Sequence, residues 1–205
     1  MSEITTDERG RITIPKAVRE RFGERYRLVE LEDGIKLMPV PDDPLESLRN
    51  AASDKLKAAS MDELREVVST KAESKRPSMY ADTDFWLALL KADDWLADRA
   101  ESKLEEHRGD LEVSLATFIE LFLIEERFGF DREEATLAIL ELAETDIDPD
   151  IVFQASAYID DGLNTFDAFH AALASDAILS SDQAFETIEL DRVALEPDTE
   201  DDSSH

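Results

Sequence analysis

The stretch Met79-Tyr80-Ala81-Asp82-Thr83-Asp84-Phe85-Trp86-Leu87-Ala88-Leu89-Leu90 decides the fold, because a short apolar run ends there in a carboxylate and continues into an apolar helix pattern. We interpret it as the first strand and the first helix of an α/β domain. Open parallel sheets bind their ligands at the carboxyl edges of their strands. The pattern therefore places Asp82 where a ligand would bind.

Strand and helix patterns alternate after this stretch as far as residue 195. They predict a helix over 95–106, a strand over 112–115, helices over 116–127 and 132–143, a brief apolar segment near Ile151, a helix over 166–174, a strand over 177–181, a short helix and a last strand over 193–195. Such alternation is typical of a parallel sheet with helices on its faces.

Four carboxylates stand where such a sheet would bring them together, at the carboxyl edge of a strand or in the first turns of a helix. They are Asp82, Glu120, Asp167 and Asp182. Each also has a structural explanation, since acidic residues stabilise helix starts and an acidic domain offers many chance sets. Spacing alone leaves a metal site and a set of capping residues both open.

Each of these carboxylates lies in a short segment of distinct composition: Tyr80-Ala81-Asp82-Thr83-Asp84, Ser114-Leu115-Ala116-Thr117-Phe118-Ile119-Glu120, Phe166-Asp167-Ala168-Phe169-His170-Ala171-Ala172 and Leu179-Ser180-Ser181-Asp182-Gln183-Ala184-Phe185. In order, spacing and flanking residues, these segments resemble the four acidic motifs of PIN-domain ribonucleases, specifically VapC-like toxins. The resemblance covers residues 79–195. It implies a three-layer α/β/α sandwich with a parallel sheet, and an endoribonuclease that hydrolyses RNA phosphodiesters.

The same resemblance assigns catalysis and metal binding to Asp82, Glu120, Asp167 and Asp182. Carboxylate oxygens and a chain without Cys indicate Mg²⁺ or Mn²⁺ rather than Zn²⁺. We expect Thr83, Ser114 and Ser181 to orient the carboxylates by hydrogen bonds, and His170 to be a helix residue rather than a catalyst. Asp84 stands where many relatives have Asn.

The sequence pattern of residues 1–40 predicts a small β module. We predict a strand over 10–14, a helix over 16–22 that begins after Pro15, and strands over 27–32 and 35–38 joined by an Asp33-Gly34 turn. A piece of this size buries too little surface to fold alone. We therefore expect it to dimerise.

Basic side chains cluster in this module at Arg9, Arg11, Lys16 and Arg19, with Arg21 beside them. They form either a solvated face paired with Glu8, Glu20 and Glu24, or a nucleic-acid contact.

The run Thr6-Asp7-Glu8-Arg9-Gly10-Arg11-Ile12-Thr13-Ile14-Pro15-Lys16-Ala17-Val18-Arg19, with Glu32-Asp33-Gly34-Ile35-Lys36-Leu37 after it, resembles the AbrB/MazE/SpoVT swapped-hairpin domain. This resemblance implies an intertwined dimer, typical of antitoxins, that binds DNA at its own promoter through Arg9, Arg11, Lys16 and Arg19. The segment 23–27 departs from the family's usual Pro-Gly turn.

Residues 41–78 form a connector. Its segment Ser60-Met61-Asp62-Glu63 is a capping box that predicts a short helix through about Ser69, followed by a polar linker. So short a helix is marginal in water and needs a partner surface. The helix packs either on the N-terminal part of the chain or on the acidic domain of residues 79–195. In the second case Arg65, Lys71, Lys75 or Arg76 would present a cation to the four carboxylates.

Charge is distributed unevenly along the 205 residues. The net charge is -28, and residues 79–205 hold 34 of the 50 acidic side chains but only 7 of the 22 basic ones. Such a surface repels nucleic acid unless salt screens it, and at molar salt the screening length falls to about 3 Å. The composition therefore suits a cytoplasmic protein of a halophilic archaeon. The chain shows no signal peptide and no apolar run that would span a membrane.

The expected fold class is α/β: a PIN-like sandwich at 79–195, preceded by the swapped-hairpin domain at 1–40 and the helical connector at 41–78, and followed by a disordered acidic tail at 196–205. The expected function is a fused toxin–antitoxin, in which the DNA-binding module controls the ribonuclease. One alternative is a DNA-binding autoregulator whose nuclease is masked or inactive. Asp82-Thr83-Asp84 also fits haloacid-dehalogenase phosphatases, but their chemistry needs a later Lys, and none follows Lys103.

Overall fold

A computed structural model of the chain describes residues 4–31, 34–67, 79–92, 95–174 and 176–195. The helices in these ranges are α1 Lys16–Phe22, α2 Pro44–Ala51, α3 Asp54–Ala58, α4 Met61–Val67, α5 Thr83–Lys91, α6 Trp95–Glu106, α7 Leu115–Phe128, α8 Arg132–Leu142, α9 Pro149–Asp160 and α10 Thr165–Leu173, with a 3₁₀ helix Gln183–Thr187. The strands are β1 Tyr26–Leu31, β2 Gly34–Pro39, β3 Met79–Tyr80, β4 Leu111–Val113, β5 Glu144–Thr145, β6 Ala177–Ser180 and β7 Asp191–Ala194. The predicted tail at 196–205 lies outside the described residues.

The strands form three small sheets. β1 and β2 make an antiparallel hairpin, β3, β4 and β5 make a parallel sheet in that order, and β6 pairs with β7 in parallel. The prediction of a parallel sheet with helices around it is thus confirmed. In the described ranges the parallel strands divide between two sheets, β3-β4-β5 and β6-β7. β3 and β5 have only two residues each, so each strand offers few ladder hydrogen bonds to hold neighbours together.

The core of the acidic domain is built around α5. This helix is apolar on nearly all sides, as a helix enclosed by other elements must be. Trp86, Leu87 and Leu89 are buried in one cluster with residues of α7 and α10. Phe122 of α7 and Phe169 of α10 meet with ring centroids 5.4 Å apart. The helix that follows Asp82 is therefore held rigidly from several sides.

The connector packs into this same core. Leu48 of α2, Leu56 of α3 and Leu64 of α4 are each 0 % exposed and belong to the cluster that contains the α5 residues. A fully buried Leu contributes about 1.5–3 kcal/mol relative to an exposed one. Of the two surfaces considered for the capping-box helix, the acidic domain is the one it contacts.

The buried ammonium group of Lys91, the last residue of α5, adds a polar link to the connector. It donates hydrogen bonds to the backbone oxygens of Lys57, at 3.2 Å, and of Ala59. A buried cation is stable only when such partners replace water. These bonds attach the C-terminal end of α3 to the C-terminal end of α5. Asp82 lies at the opposite, N-terminal end of α5.

Local capping explains where the connector helices begin. The α4 box is formed as predicted, because the Ser60 backbone N–H donates to the Glu63 carboxylate at 2.8 Å and the Glu63 N–H donates to the Ser60 hydroxyl at 3.2 Å. These bonds from Ser60 hold the pKa of Glu63 below its usual value. The helices α2 and α3 were not predicted, although Asp43 caps the Glu46 N–H at 3.0 Å with Pro44 at the first helical position.

The N-terminal hairpin also packs on the acidic domain. Val29 and Met38 are buried against Leu137 of α8 and Phe153 of α9. Three ion pairs border this contact: Glu141 meets Arg25 at 2.8 Å and Arg27 at 3.6 Å, and Lys36 meets Glu133. The hairpin thus finds an apolar partner within its own chain, which is one solution to its small size.

Three sequence predictions need correction. Residues 10–14 form no strand: Asp7 to Gly10 is a turn, closed by the Gly10 N–H on the Asp7 backbone oxygen at 2.9 Å, and the extended residues after it pair with none of the described strands. Leu115, predicted as a strand end, begins α7. The apolar segment near Ile151 is the twelve-residue helix α9, which begins at Pro149 behind the Asp148 cap.

Candidate active site

Asp82 lies where β3 passes into α5. It is the N-cap of α5, and its carboxylate accepts a hydrogen bond from the Phe85 N–H at 3.2 Å. The buried Trp86 indole donates to the Ala81 backbone oxygen at 3.3 Å and so fixes the backbone between β3 and Asp82. Asp82 itself is exposed. The sequence therefore builds a rigid turn that presents one carboxylate to solvent at the carboxyl edge of the parallel sheet.

Glu120 is brought to the same place by Thr83. The buried hydroxyl of Thr83 donates to the carboxylate of Glu120, which is half-buried on α7. Because Thr83 follows Asp82 directly, the bond joins the turn after β3 to the helix after β4. Two of the four predicted carboxylates therefore belong to one arrangement, with Thr83 in the orienting role expected of it.

A cluster of hydroxyl groups lies beside this pair. The Tyr80 hydroxyl is 2.8 Å from the Ser114 hydroxyl and 3.0 Å from that of Thr117. Ser114 is the N-cap residue of α7 but makes no side-chain capping bond, so it contacts Tyr80 rather than the helix or a carboxylate. Tyr80 precedes Asp82 by two residues, so the hydroxyl cluster adjoins the turn that carries Asp82.

Asp167 occupies the first turn of α10. It exchanges bonds with the N-cap residue: the Asn164 side-chain amide donates to the Asp167 carboxylate, and the Asp167 N–H donates to the Asn164 side-chain oxygen at 3.1 Å. The Thr165 N–H donates to Glu126 at 3.1 Å, which ties the start of α10 to α7. Asp167 is thus on a helix anchored to the one that carries Glu120.

Asp182 follows β6 and caps the 3₁₀ helix, accepting from the Ala184 N–H at 2.9 Å. Its own N–H donates to the Ser180 hydroxyl at 3.0 Å. Arg192 of β7 supports this corner through a bond to the Ser180 backbone oxygen at 2.9 Å and another to Glu186 at 2.9 Å. Ser181 and His170 are both exposed.

The four carboxylates share an oxygen chemistry that fits Mg²⁺ or Mn²⁺. Within the ranges the structure describes, however, no three Asp, Glu or His side chains are grouped closely enough to hold a metal ion. Asp82 and Glu120 are joined through Thr83, whereas Asp182 stands on the separate β6–β7 pair. The chemical type of these donors fits a hard divalent ion. Their positions in the described ranges do not bring three of them together around one ion.

The four basic residues of the N-terminal module are exposed and mostly paired with acids. Arg11 contacts Asp7 at 2.7 Å, Lys16 contacts Glu20 at 3.4 Å, and Arg19 contacts Glu24 at 3.2 Å. The Arg11 side chain holds the pKa of Asp7 below its usual value. Arg9 donates its backbone N–H to Asp7 at 2.9 Å. Exposed pairs of this kind contribute little energy, so their cations remain exchangeable.

Tyr80 and Thr117 are site features that were not singled out from the sequence, since a Tyr at a strand end and a Thr in a first helical turn are both common. The cations expected to face the carboxylates, namely Lys71, Lys75, Arg76 and the side chain of Arg65, lie outside the described residues.

The family assignment rests on a match to the PIN domain over residues 79–189, which is more than half of the chain. The chain therefore belongs to the PIN-domain family. PIN domains are generally metal-dependent nucleases, so the site defines a candidate nuclease of that class. Comparisons with curated proteins and with solved structures found no match. None of the described helices is long and apolar enough to cross a membrane.

Proposed function

We propose that this protein is a fused toxin–antitoxin: a metal-dependent endoribonuclease of the VapC type, restrained by a tethered AbrB/SpoVT-like module that binds DNA. The observation that carries the proposal is the link from Asp82 through Thr83 to Glu120, at the carboxyl edge of a parallel sheet inside a PIN domain. Exposed and half-buried carboxylates at such an edge suit a charged, polymeric substrate that approaches from solvent together with a metal ion.

Asp82, Glu120, Asp167 and Asp182 would hold the ion, Mg²⁺ or Mn²⁺. When bound, such an ion supplies an activated water and neutralises charge on a phosphodiester. The chain's own residues prepare the place: Thr83 fixes the carboxylate of Glu120, and the capping bonds of Asp82 and Asp182 fix their backbones.

The positions of the described residues on either side of residues 68–78 support restraint by the connector. Leu64 of α4 is buried in the core, and the next described residue after α4 is Met79, three residues before Asp82. The residues between them must lead from the docked helix to the strand of the site. They include Lys71, Lys75 and Arg76, which are the cations suited to neutralise the carboxylates.

The N-terminal module supports the DNA-binding and dimer parts of the proposal. It exposes apolar side chains that a second copy would cover, namely Ile12, Val18, Phe22, Leu28 and Ile35. Its exposed cations Arg9, Arg11, Lys16 and Arg19 would exchange acidic partners for phosphates. A homodimer that reads its own promoter is the assembly these features favour.

The test is an RNA cleavage assay with Mg²⁺ on the full chain carrying a protease site inserted between Ser69 and Met79. Cutting at this site should raise cleavage by releasing the tether, while Leu48, Leu56 and Leu64 keep the first part docked. Asp82→Asn should abolish cleavage in both forms. Asp98→Asn, an exposed carboxylate on α6, is the matched control and should change nothing.

A second candidate is a DNA-binding autoregulator whose nuclease domain is inactive. The observation in its favour is that no three acids gather as a metal site in the described ranges. A cut chain that stays inert with Mg²⁺ and Mn²⁺, while the intact chain binds its promoter, would select this candidate over the toxin.

A further inference from the structure

Exposed aromatic residues are few among the side chains that the structure describes, and their positions are uneven. Those exposed are Phe22 at 43 %, Tyr80 at 37 % and Phe166 at 54 %. Two of the three adjoin candidate carboxylates: Tyr80 precedes Asp82 by two residues, and Phe166 directly precedes Asp167. The catalytic chemistry proposed above uses neither ring.

Both residues stand on backbone that is firmly held. Tyr80 is tied through its hydroxyl to Ser114 and Thr117, at 2.8 and 3.0 Å, so its ring lies over the junction of β4 and α7. Phe166 lies in the first turn of α10, between Thr165, which is bonded to Glu126, and Asp167, which is bonded to Asn164. The backbone that carries the two rings is therefore fixed before a ligand binds, so little backbone freedom is lost on contact.

The charge of the domain limits how a nucleic acid can bind to it. Residues 79–205 hold 7 basic side chains against 34 acidic ones, and two of the basic ones, Arg132 and Arg192, are largely buried in ion pairs with acids. Phosphate contacts, the usual source of affinity, are therefore scarce. A nucleobase has an uncharged π face that stacks on an aromatic ring independently of this charge.

We propose that Tyr80, beside Asp82 in the sequence, and Phe166, beside Asp167, are stacking platforms for unpaired bases of the substrate. The nucleic acid is then held by its bases rather than by its phosphates. Bases inside a duplex are already stacked and are not available to these rings. The inference rests on the proposed nuclease only in that the bases flank the phosphodiester to be cleaved.

Salt dependence distinguishes this mode of binding from the usual one. Affinity that depends on phosphate contacts falls steeply as salt rises, whereas stacking is insensitive to it. Binding to Tyr80 and Phe166 should therefore persist in molar KCl. At that concentration the screening length of about 3 Å suppresses binding to the cations of the N-terminal module.

The experiment measures binding of a short fluorescent single-stranded RNA to the full chain in molar KCl with a metal chelator, so that no cleavage occurs. Phe166→Leu and Tyr80→Leu remove the rings and should each weaken binding about tenfold. Tyr80→Phe keeps the ring but loses the hydroxyl that ties it to Ser114 and Thr117, so its affinity should lie between those of Tyr80→Leu and the wild type. Leu173→Ala, at an exposed apolar residue about two turns further along α10, is the control and should have no effect.

Three results would overturn the inference: no binding by the wild type in molar salt, equal affinity for Phe166→Leu and the wild type, or a duplex of the same sequence that binds as tightly as the single strand. If Phe166→Leu instead converts a dimer to a monomer in sedimentation without changing RNA affinity, the ring belongs to an interface between copies. Ring-dependent binding without any cleavage by the cut chain would refute the nuclease and leave the inference standing.

Discussion

The buried hydroxyl of Thr83 donates a hydrogen bond to the carboxylate of Glu120. This one bond joins the turn that carries Asp82 to the helix that carries the second candidate ligand. The two neighbouring residues therefore differ in role: the Asp82 side chain is exposed to solvent, whereas the Thr83 side chain is buried and bonded to Glu120. A change at Thr83 therefore tests the site without touching a carboxylate.

Thr83→Val removes the hydroxyl and keeps the shape of the side chain. The carboxylate of Glu120 then loses a donor whose bond to a charged group contributes about 1.5–3 kcal/mol. We expect RNA cleavage to fall by at least about tenfold, with thermal unfolding still cooperative. Thr83→Ser, which keeps the hydroxyl, should retain most of the activity. Equal activity of the Val and Ser variants would show that the bond does not serve the site.

Metal binding can be measured through stability, without any cleavage assay. An ion that binds only the folded chain stabilises it by about 2.7 kcal/mol at a concentration 100 times its Kd. We expect Mg²⁺ or Mn²⁺ to raise the unfolding temperature of the wild type, and Asp82→Asn, Glu120→Gln, Asp167→Asn and Asp182→Asn each to reduce that rise.

Asp98→Asn is again the control for this series, and its metal-dependent rise should equal that of the wild type. A carboxylate whose variant keeps the full rise is not a ligand. Asp182 is the most informative position, because its strand pair is separate from the sheet that leads to Asp82.

Several helix starts were predictable from the sequence because their signals are local, although α2 and α3 were not predicted. The capping box of Ser60 and Glu63 gave α4, and α6 was placed at its observed bounds. Strand pairing depends on partners far along the chain, so the separation of β6 from β3 could not be read from either strand alone. The helix α9 was missed because its apolar residues surround a Pro start, which resembles a loop in sequence.

The candidate site likewise has features that a local sequence pattern predicts and features that depend on residues far apart in the chain. The carboxylates stand out by residue type and by position after apolar runs. The bond between Thr83 and Glu120 joins residues 37 apart, and the contacts of Tyr80 with Ser114 and Thr117 join residues 34 and 37 apart. Such contacts follow from the packing of α7 against the first parallel strands, which no local pattern encodes.

Lys91→Met tests the polar link between connector and nuclease domain. The variant keeps the apolar stem but leaves the backbone oxygens of Lys57 and Ala59 without their donor. We expect the free energy of unfolding to fall by about 2 kcal/mol and amide protons of α3 and α4 to exchange faster. Lys103→Met, which removes an exposed pair with Glu106, should change stability by less than about 0.5 kcal/mol.

An unchanged exchange rate in α3 and α4 of Lys91→Met would mean that Leu56 and Leu64 alone hold the connector. In that case, Leu56→Ala should cost about 2–5 kcal/mol and accelerate exchange in the same helices.

Arg11 provides the test of DNA binding. Its guanidinium is exposed and contacts Asp7 through Nε at 2.8 Å and Nη2 at 2.7 Å, so a phosphate must displace Asp7 to be bound. Arg11→Ala should weaken binding to the promoter region and lower the slope of log affinity against log salt by about 0.9. Asp7→Asn keeps an oxygen that accepts the turn's N–H groups but removes the competing charge, so it should bind DNA more tightly than the wild type. Arg99→Ala on α6 is the control for loss of one positive charge; a slope reduced equally by this variant would locate the DNA contact outside the N-terminal module.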